Sequence, residues 1–146
     1  IRLTEKRAPA GCMLFWSYEA ACDTAFLLLK RAPPPQRAGL MKQTEVVVRV
    51  MEQFAKIFPI GRCEAERARA RWLAIGGKTR EAEKLLGRAV ESARAFDLPV
   101  ETGKAHADLS RIARDPGKRR EHARAAREVF TRVGTWGLLE ELDEDA

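Results

Sequence analysis

Two helical patterns joined by a pair of glycines, between Glu64 and Leu98, constrain the fold more than any other stretch of the chain. Gly76 and Gly77 end the first pattern, because glycine readily adopts the left-handed conformation found at helix ends. We expect Thr79 to cap the second helix with its hydroxyl. Each pattern has one apolar stripe at helical spacing. The stripes consist of Ala65, Ala68, Trp72 and Ile75, and of Ala82, Leu85, Leu86, Ala89, Ala93 and Phe96. Small residues mixed with large ones predict two closely packed antiparallel helices.

The rest of the chain has the same character. The only β-branched run, Val46 to Val48, lies inside a helical period. A hydrophobic content of 45% in 146 residues argues against disorder and is sufficient for one domain with its own core. No apolar run approaches the roughly 20 residues of a membrane-spanning helix. These observations predict an all-α protein without a membrane segment.

Prolines, glycines and charges divide the chain. Residues 1–9 are charged and end in proline, which indicates a linker or a frayed end; residues 10–142 read as a single helical domain, and residues 143–146 as an acidic tail. Helices are expected at about 10–30 and 37–58, then in the hairpin, after Pro99, at about 118–133, and over a short last stretch. The chain begins with Ile1 instead of Met, so we expect it to be part of a longer protein.

The last two hairpins repeat each other. Ala82 and Ala123 lie 41 positions apart, as do Ala89 and Phe130, whereas Trp72 and the matching Leu109 lie 37 apart. A helix–turn–helix unit of about 40 residues is the sequence signature of an α-solenoid. The predicted architecture is an α-solenoid of antiparallel hairpins, about three in number, with a short C-terminal capping helix.

Part of this repeat resembles a known family. The line GGKTREAEKLLGRAVESARAFDLP is similar to the second half of a tetratricopeptide repeat (TPR), with Gly77, Ala82, Leu86 and Ala89 at its glycine, small and bulky positions. The segments FAKIFPIGR, FDLPVETGKAHADLSR and HARAAREVFTRVG resemble the C-terminal repeat regions of bacterial multidomain signal-transduction ATPases. That group includes MalT/LuxR-type regulators and adenylate cyclase- or kinase-linked proteins.

The resemblance implies binding instead of catalysis. In that group the repeats bind proteins or an inducer, or pass signals to the ATPase. We therefore expect a cytoplasmic, non-catalytic protein-interaction or regulatory module without a cofactor, binding a protein or peptide partner or another domain of the parent chain. In a TPR-like superhelix the first helix of each hairpin lines the concave face. The solvent positions of these helices form the candidate partner-binding face: Arg67, Arg71, Lys104, Asp108 and Arg111.

Four of these five residues are basic, so the concave face is expected to favour an acidic segment. Reversing Arg67 and Lys104 to glutamate should then abolish partner binding without changing the helix content. A purely solubilising role for these side chains is the alternative.

No pattern of an enzyme or a metal centre stands out. The run Gly76-Gly77-Lys78-Thr79 lacks the first glycine of a phosphate-binding loop and lies between helices, so it reads as a turn. The two histidines, His106 and His122, have no paired metal-ligand spacing. Three cysteines without CxxC spacing, namely Cys12, Cys22 and Cys63, indicate free thiols in a reducing compartment.

A net charge of +6 leaves a second function open. Basic residues that follow Arg111 cluster around one turn; they are Arg114, Lys118, Arg119, Arg120, Arg124 and Arg127. Such a cluster could hold nucleic-acid phosphates or an acidic protein. Because the cluster contains no aromatic residue to stack on bases, a solvated surface or a protein partner is favoured over a basic nucleic-acid-associated helical domain.

Overall fold

The computed structural model describes residues 11–144, apart from the side chains of Cys12 and Glu144. These residues form α-helices and two 3-10 turns and contain no strand, which confirms the all-α prediction. The α-helices are α1 (Phe15–Arg31), α2 (Pro34–Ile57), α3 (Arg62–Ile75), α4 (Thr79–Ala95), α5 (Pro99–Ile112), α6 (Pro116–Val133) and α7 (Trp136–Glu144). The predicted linker, 1–9, and the end of the predicted acidic tail lie outside the described residues.

The proline run at residues 33–35 separates the first two helices by fewer residues than its composition predicts. Helix α1 ends at Arg31, and α2 begins at Pro34 instead of near Arg37. A proline in the first turn of a helix costs little, because the amide groups there have no intrahelical partner and its fixed φ suits the helix. Only Ala32 and Pro33 separate α1 from α2.

The predicted glycine turn between α3 and α4 is confirmed. Gly77 has φ +79°, and the amides of Gly77 and Lys78 donate to the carbonyl oxygens of Ala74 and Leu73 at 3.0 and 2.9 Å. This pair of hydrogen bonds is the Schellman arrangement that satisfies the last carbonyls of a helix. The expected Thr79 cap is wrong, since Thr79 is the first residue of α4 and the preceding Lys78 makes no side-chain cap.

Each helix packs mainly against its neighbours in the chain, most extensively α3 with α4 and α5 with α6. The buried apolar residues form three successive clusters. The first joins α1, α2 and α3 around Phe15 and Phe54, the second joins α3, α4 and α5 around Leu86, and the third joins α5, α6 and α7 around Phe130. The apolar core therefore extends along the chain. No helix within residues 11–144 has the length and apolar content needed to span a membrane.

The predicted apolar stripes mostly lie in these clusters. Ala68, Ala82 and Ala93 are fully buried. The ends of the stripes are not, because Ile75 and Phe96 are 39% and 43% exposed. Helix α1 leaves part of its apolar surface open, since Trp16 and Leu28 are more than half exposed.

Helices α5 and α6 approach each other closely at Gly103. A Cβ atom there would lie 2.5 Å from Cε1 of Phe130, a ring that is itself buried in the third cluster. Gly87 of α4 provides a contrast, because a Cβ at that position would meet no atom within 4 Å. Glycine is therefore required by packing at the first position and not at the second.

We expect Gly103→Ala to lower the free energy of unfolding by about 1–3 kcal/mol, because Phe130 must leave its place in the core. Gly87→Ala is the matched control and should raise it by about 0.5–1 kcal/mol through the helix propensity of alanine. Denaturant unfolding of both variants tests the packing. An equal gain of stability in the two variants would contradict the close contact of α5 and α6.

Candidate functional site

Arg67 of α3 is the centre of a buried ionic network. Its Nε donates to Oδ2 of Asp108 at 2.7 Å, its Nη1 to Oε2 of Glu64 at 2.9 Å, and its Nη2 to Oδ1 of Asp23 at 2.9 Å. These carboxylates come from α5, α3 and α1, so one guanidinium joins three helices. A planar group with five donors is suited to this role, which a lysine could not fill.

The network extends through Asp23 and Asp108. Asp23 also accepts hydrogen bonds from Arg71 at 2.7 Å and Lys104 at 3.0 Å, and Lys104 reaches Glu19 at 2.7 Å. Arg111 donates to Asp108 at 3.0 Å. Charged side chains of α1, α3 and α5 thus share their partners.

All five residues of the predicted concave face belong to this network, which brings together Arg67, Arg71, Lys104, Asp108 and Arg111. The expectation that they face solvent is wrong for Arg67 and Asp108, which are each 7% exposed. The reason is the acidic side of α1, which lies over them. Reversal of Arg67 is therefore expected to disturb the fold, contrary to the prediction of unchanged helix content.

Sequence reasoning missed the acidic half of the network. Glu19 and Asp23 lie four residues apart in α1 and so share one face of that helix. Their spacing matches that of the basic pair Arg67 and Arg71 in α3. Complementary pairs at the same spacing were a signal for ion pairing between the helices, but nothing in the sequence shows which helix faces cross.

Burial and the neighbouring charges set the ionisation of the network. Burial raises the pKa of Asp23, but Arg67, Lys104 and Arg71 outweigh it and hold the pKa far below the usual range. For Glu64, burial dominates over Arg67 and raises the pKa to about 7. Its Oε1 atom is buried and accepts no hydrogen bond from the described residues. Among the described residues of the network, Glu64 is therefore the carboxylate with a buried oxygen that lacks a hydrogen-bond donor.

A cleft of about 860 Å³ lies beside the network. Most of its wall comes from α1, α3, α5 and α7, with Leu86 of α4, Phe130 of α6 and Arg37 at the start of α2 also in the lining. Seven basic and three acidic side chains line it: Lys30, Arg31, Arg37, Arg67, Arg71, Lys104 and Arg111, with Asp23, Asp108 and Glu141. Its apolar wall includes Phe26, Leu27, Ile75, Ile112 and Leu138. The volume is in the range of ligand-binding pockets.

The predicted basic cluster lies away from this cleft. Its residues surround the α5–α6 turn and the outer side of α6, and all are exposed: Arg114, Lys118, Arg119, Arg120, Arg124 and Arg127. Arg127 forms an ion pair with Asp143 of α7, and Arg119 donates a hydrogen bond to the carbonyl oxygen of Ala113. Because these side chains are exposed, their charges face solvent and are screened by it.

The two histidines, distant in sequence, meet between α5 and α6. Nδ1 of His106 and Nδ1 of His122 lie 3.1 Å apart, so one must donate and the other must accept. Burial, His122 and Arg94 lower the pKa of His106 to about 4, although Glu121 acts in the opposite direction. Burial also lowers the pKa of His122, with Glu121 and Glu83 opposing. Both rings are therefore neutral at pH 7.

Burial governs the thiol chemistry of Cys22 and Cys63. Cys63 is buried, and burial raises the pKa of its thiol to about 12; burial raises the pKa of Cys22 as well. The thiolate forms needed for nucleophilic attack are thus suppressed. Among the described residues, no group of three or more His, Cys, Asp or Glu side chains could hold a metal ion.

Comparison of the chain with protein-family models, curated proteins and solved structures finds no match. The cleft and the network are therefore interpreted from their own chemistry.

Arg67→Met should lower the free energy of unfolding by about 3–5 kcal/mol, because Glu64, Asp108 and Asp23 lose a shared buried cation. Arg69→Met is the matched control on the same helix. Within residues 11–144, Arg69 forms its ion pair with Glu52 alone, at 2.6 Å on a partly exposed surface, so its loss should cost about 1 kcal/mol or less. Denaturant unfolding at neutral pH measures both. Equal effects would show that the network is as dispensable as a surface ion pair.

The histidine pair should make stability depend on pH. Because the folded pKa of His106 lies below the unfolded value of 6.5, the unfolded chain binds more protons as the pH falls. Stability should decrease between pH 6.5 and 4, by about 1 kcal/mol at pH 5 after allowance for solvent screening. The measurement is the difference in unfolding free energy between the parent and a His106→Gln, His122→Gln variant at pH 7 and 5. This difference isolates the pair from Glu64, whose raised pKa gives the opposite trend between pH 4.5 and 7. An unchanged difference would contradict the proposed neutral pair.

Proposed function

We propose that this chain is a non-catalytic protein-interaction or regulatory module that binds a partner in the cleft between α1, α3, α5 and α7. The observation that carries the proposal is the cleft itself, which combines an apolar wall with a surplus of cations. Each acidic side chain in its lining already has a cationic partner within 4 Å. What remains for a ligand is apolar contact and positive charge, which suits recognition of another chain.

The proposal includes a TPR-like solenoid. Pairing α1 with α2, α3 with α4, and α5 with α6 gives three hairpins, and α7 would cap the last of them. The contacts support this arrangement, because α3–α4 and α5–α6 are the most extensive pairs and α4–α5 comes next. Helices joined by three residues and packed along their length must run in opposite directions. On this interpretation the cleft is the concave face, lined by the first helix of each hairpin.

The biological setting follows from the resemblance to bacterial signal-transduction ATPases. We propose that the chain belongs to a larger cytoplasmic regulator, in which the module binds a protein or passes a signal to a nucleotide-binding domain. Sequencing the gene beyond this segment is the direct check. A nucleotide-binding ATPase domain upstream would support the proposal, and an unrelated secreted or membrane-anchored protein would overturn this part of it.

A photo-crosslinking amino acid at Leu27 tests the docking surface. Leu27 lines the cleft and is 44% exposed, whereas Ile57, 49% exposed at the end of α2, does not line it. In cells that express the whole gene, we expect a discrete crosslinked product from position 27 that is absent from position 57. Products of equal yield at both positions, or at neither, would contradict docking in the cleft.

The alternative function, nucleic-acid binding by the exposed basic cluster, predicts a different result. If the cluster only solvates the surface, short duplex DNA should bind weakly, without sequence preference, and with affinity that falls steeply as salt rises. Fluorescence anisotropy with duplexes of different sequence, at low and physiological salt, measures this. A sequence-selective complex of sub-micromolar affinity at physiological salt, lost in a Lys118→Gln, Arg120→Gln, Arg124→Gln variant, would favour the alternative.

A further inference from the structure

We infer that the partner of the cleft is an acidic, leucine-bearing amphipathic helix. This inference rests on the proposed function and adds the chemistry of the partner. Its first support is the charge of the rim. Arg31 and Arg37 lie where α1 ends and α2 begins, both are exposed, and neither forms an ion pair with a residue of 11–144. Arg37 donates a long hydrogen bond, of 3.5 Å, to the carbonyl oxygen of Leu29, so a carboxylate arriving there meets cations without having to displace an anionic partner.

The second support is that carboxylates of the chain itself already bind basic side chains of the cleft. Asp23 enters from α1 and binds Arg67, Arg71 and Lys104. Glu141 enters from α7 and lies 3.7 Å from Arg111. Carboxylates thus approach this basic surface from two different helices, α1 and α7.

The third support is α7, which shows the kind of helix that this surface holds. Its sequence, WGLLEELDE, combines three leucines with four acidic residues and has no basic residue. Leu142 is buried against Ala107 and Phe130, and Leu138 and Glu141 form one end of the cleft. A second helix of this composition, lying beside α7, would place leucines on the apolar wall near Leu27 and Ile75 and carboxylates near Arg31 and Arg37.

Charge and apolar surface together exclude simpler occupants. Leu27 and Ile75 are 44% and 39% exposed without a ligand. An acidic chain without leucines would leave both side chains in contact with water. A neutral apolar helix would bury basic side chains without compensation, which costs free energy. The two requirements are met by one amphipathic helix with alternating acidic and leucine-rich faces.

The probe is a fluorescent peptide of two copies of WGLLEELDE joined by Ala-Ala, because an offset of about three helical turns keeps the leucines of both copies on one face. Its control is the same peptide with Gln and Asn in place of Glu and Asp. Anisotropy titrations use the complete chain. We expect the acidic peptide to bind with an affinity that falls as salt rises, and the amide peptide to bind about tenfold more weakly or worse.

Charge reversals of equal size locate the site. Arg31→Glu with Arg37→Glu should weaken binding of the acidic peptide by about tenfold or more, because two favourable contacts become repulsive. Two controls change the net charge equally outside the cleft, namely Lys42→Glu with Lys56→Glu on α2, and Arg120→Glu with Arg124→Glu in the basic cluster. Each control should change affinity by about threefold or less, since exposed distant charges are screened.

Circular dichroism shows whether the variants fold, and Arg31→Gln with Arg37→Gln, expected to weaken binding by an intermediate factor, repeats the test with a milder change. Equal losses in the cleft variant and in either control would overturn the inference, because the peptide would then respond only to net charge. Equal binding of the acidic and amide peptides would overturn the charge preference. Absence of binding by both would overturn the inference as well. The crosslink at Leu27 decides the proposed function independently of these outcomes.

Discussion

The buried guanidinium of Arg67 is the constraint on which this arrangement of helices depends. It lies at the crossing of α1, α3 and α5 and binds a carboxylate from each. A buried cation requires partners on several sides, and partners so arranged fix how the helices cross. Apolar stripes alone would allow helices to rotate or slide by small amounts, as in cores that are well filled but poorly specified. The ionic network thus contributes specificity to a fold whose buried apolar residues include many alanines.

The same network explains why the cleft is both charged and structurally firm. Asp23 neutralises part of the basic surface from within, so the cations are held in place without a ligand. Arg71 is further oriented by the ring of Phe26, whose centroid lies 4.2 Å from the guanidinium carbon. A surface held in this way loses little conformational freedom when a partner binds.

Periodicity and turn chemistry predicted much of the fold, and the reasons for the misses are physical. The turn at Gly76 and Gly77 could be predicted because it depends on backbone conformation within a few residues. The start of α2 at Pro34 was missed because the first turn of a helix tolerates proline. The four basic residues of the network were named from the sequence, but the burial of Arg67 was missed, and so were Lys30, Arg31 and Arg37 of the cleft. Burial depended on the carboxylates of α1, and a contact between Arg67 and Asp23 links positions 44 residues apart.

The span of the network has a consequence for cooperativity. Proteins built from successive hairpins have mostly local contacts, and their ends can unfold while the middle remains folded. Here the bond between Lys104 and Glu19 joins α5 to α1, at positions 85 residues apart. Opening α1 would therefore strip the compensating charges from α3 and α5, and the first five helices are bound into a single cooperative unit. Helix α7 lies outside this set of shared charges, since within residues 11–144 it is joined to α5 through the ion pair of Glu141 with Arg111 and through Leu142 in the third cluster.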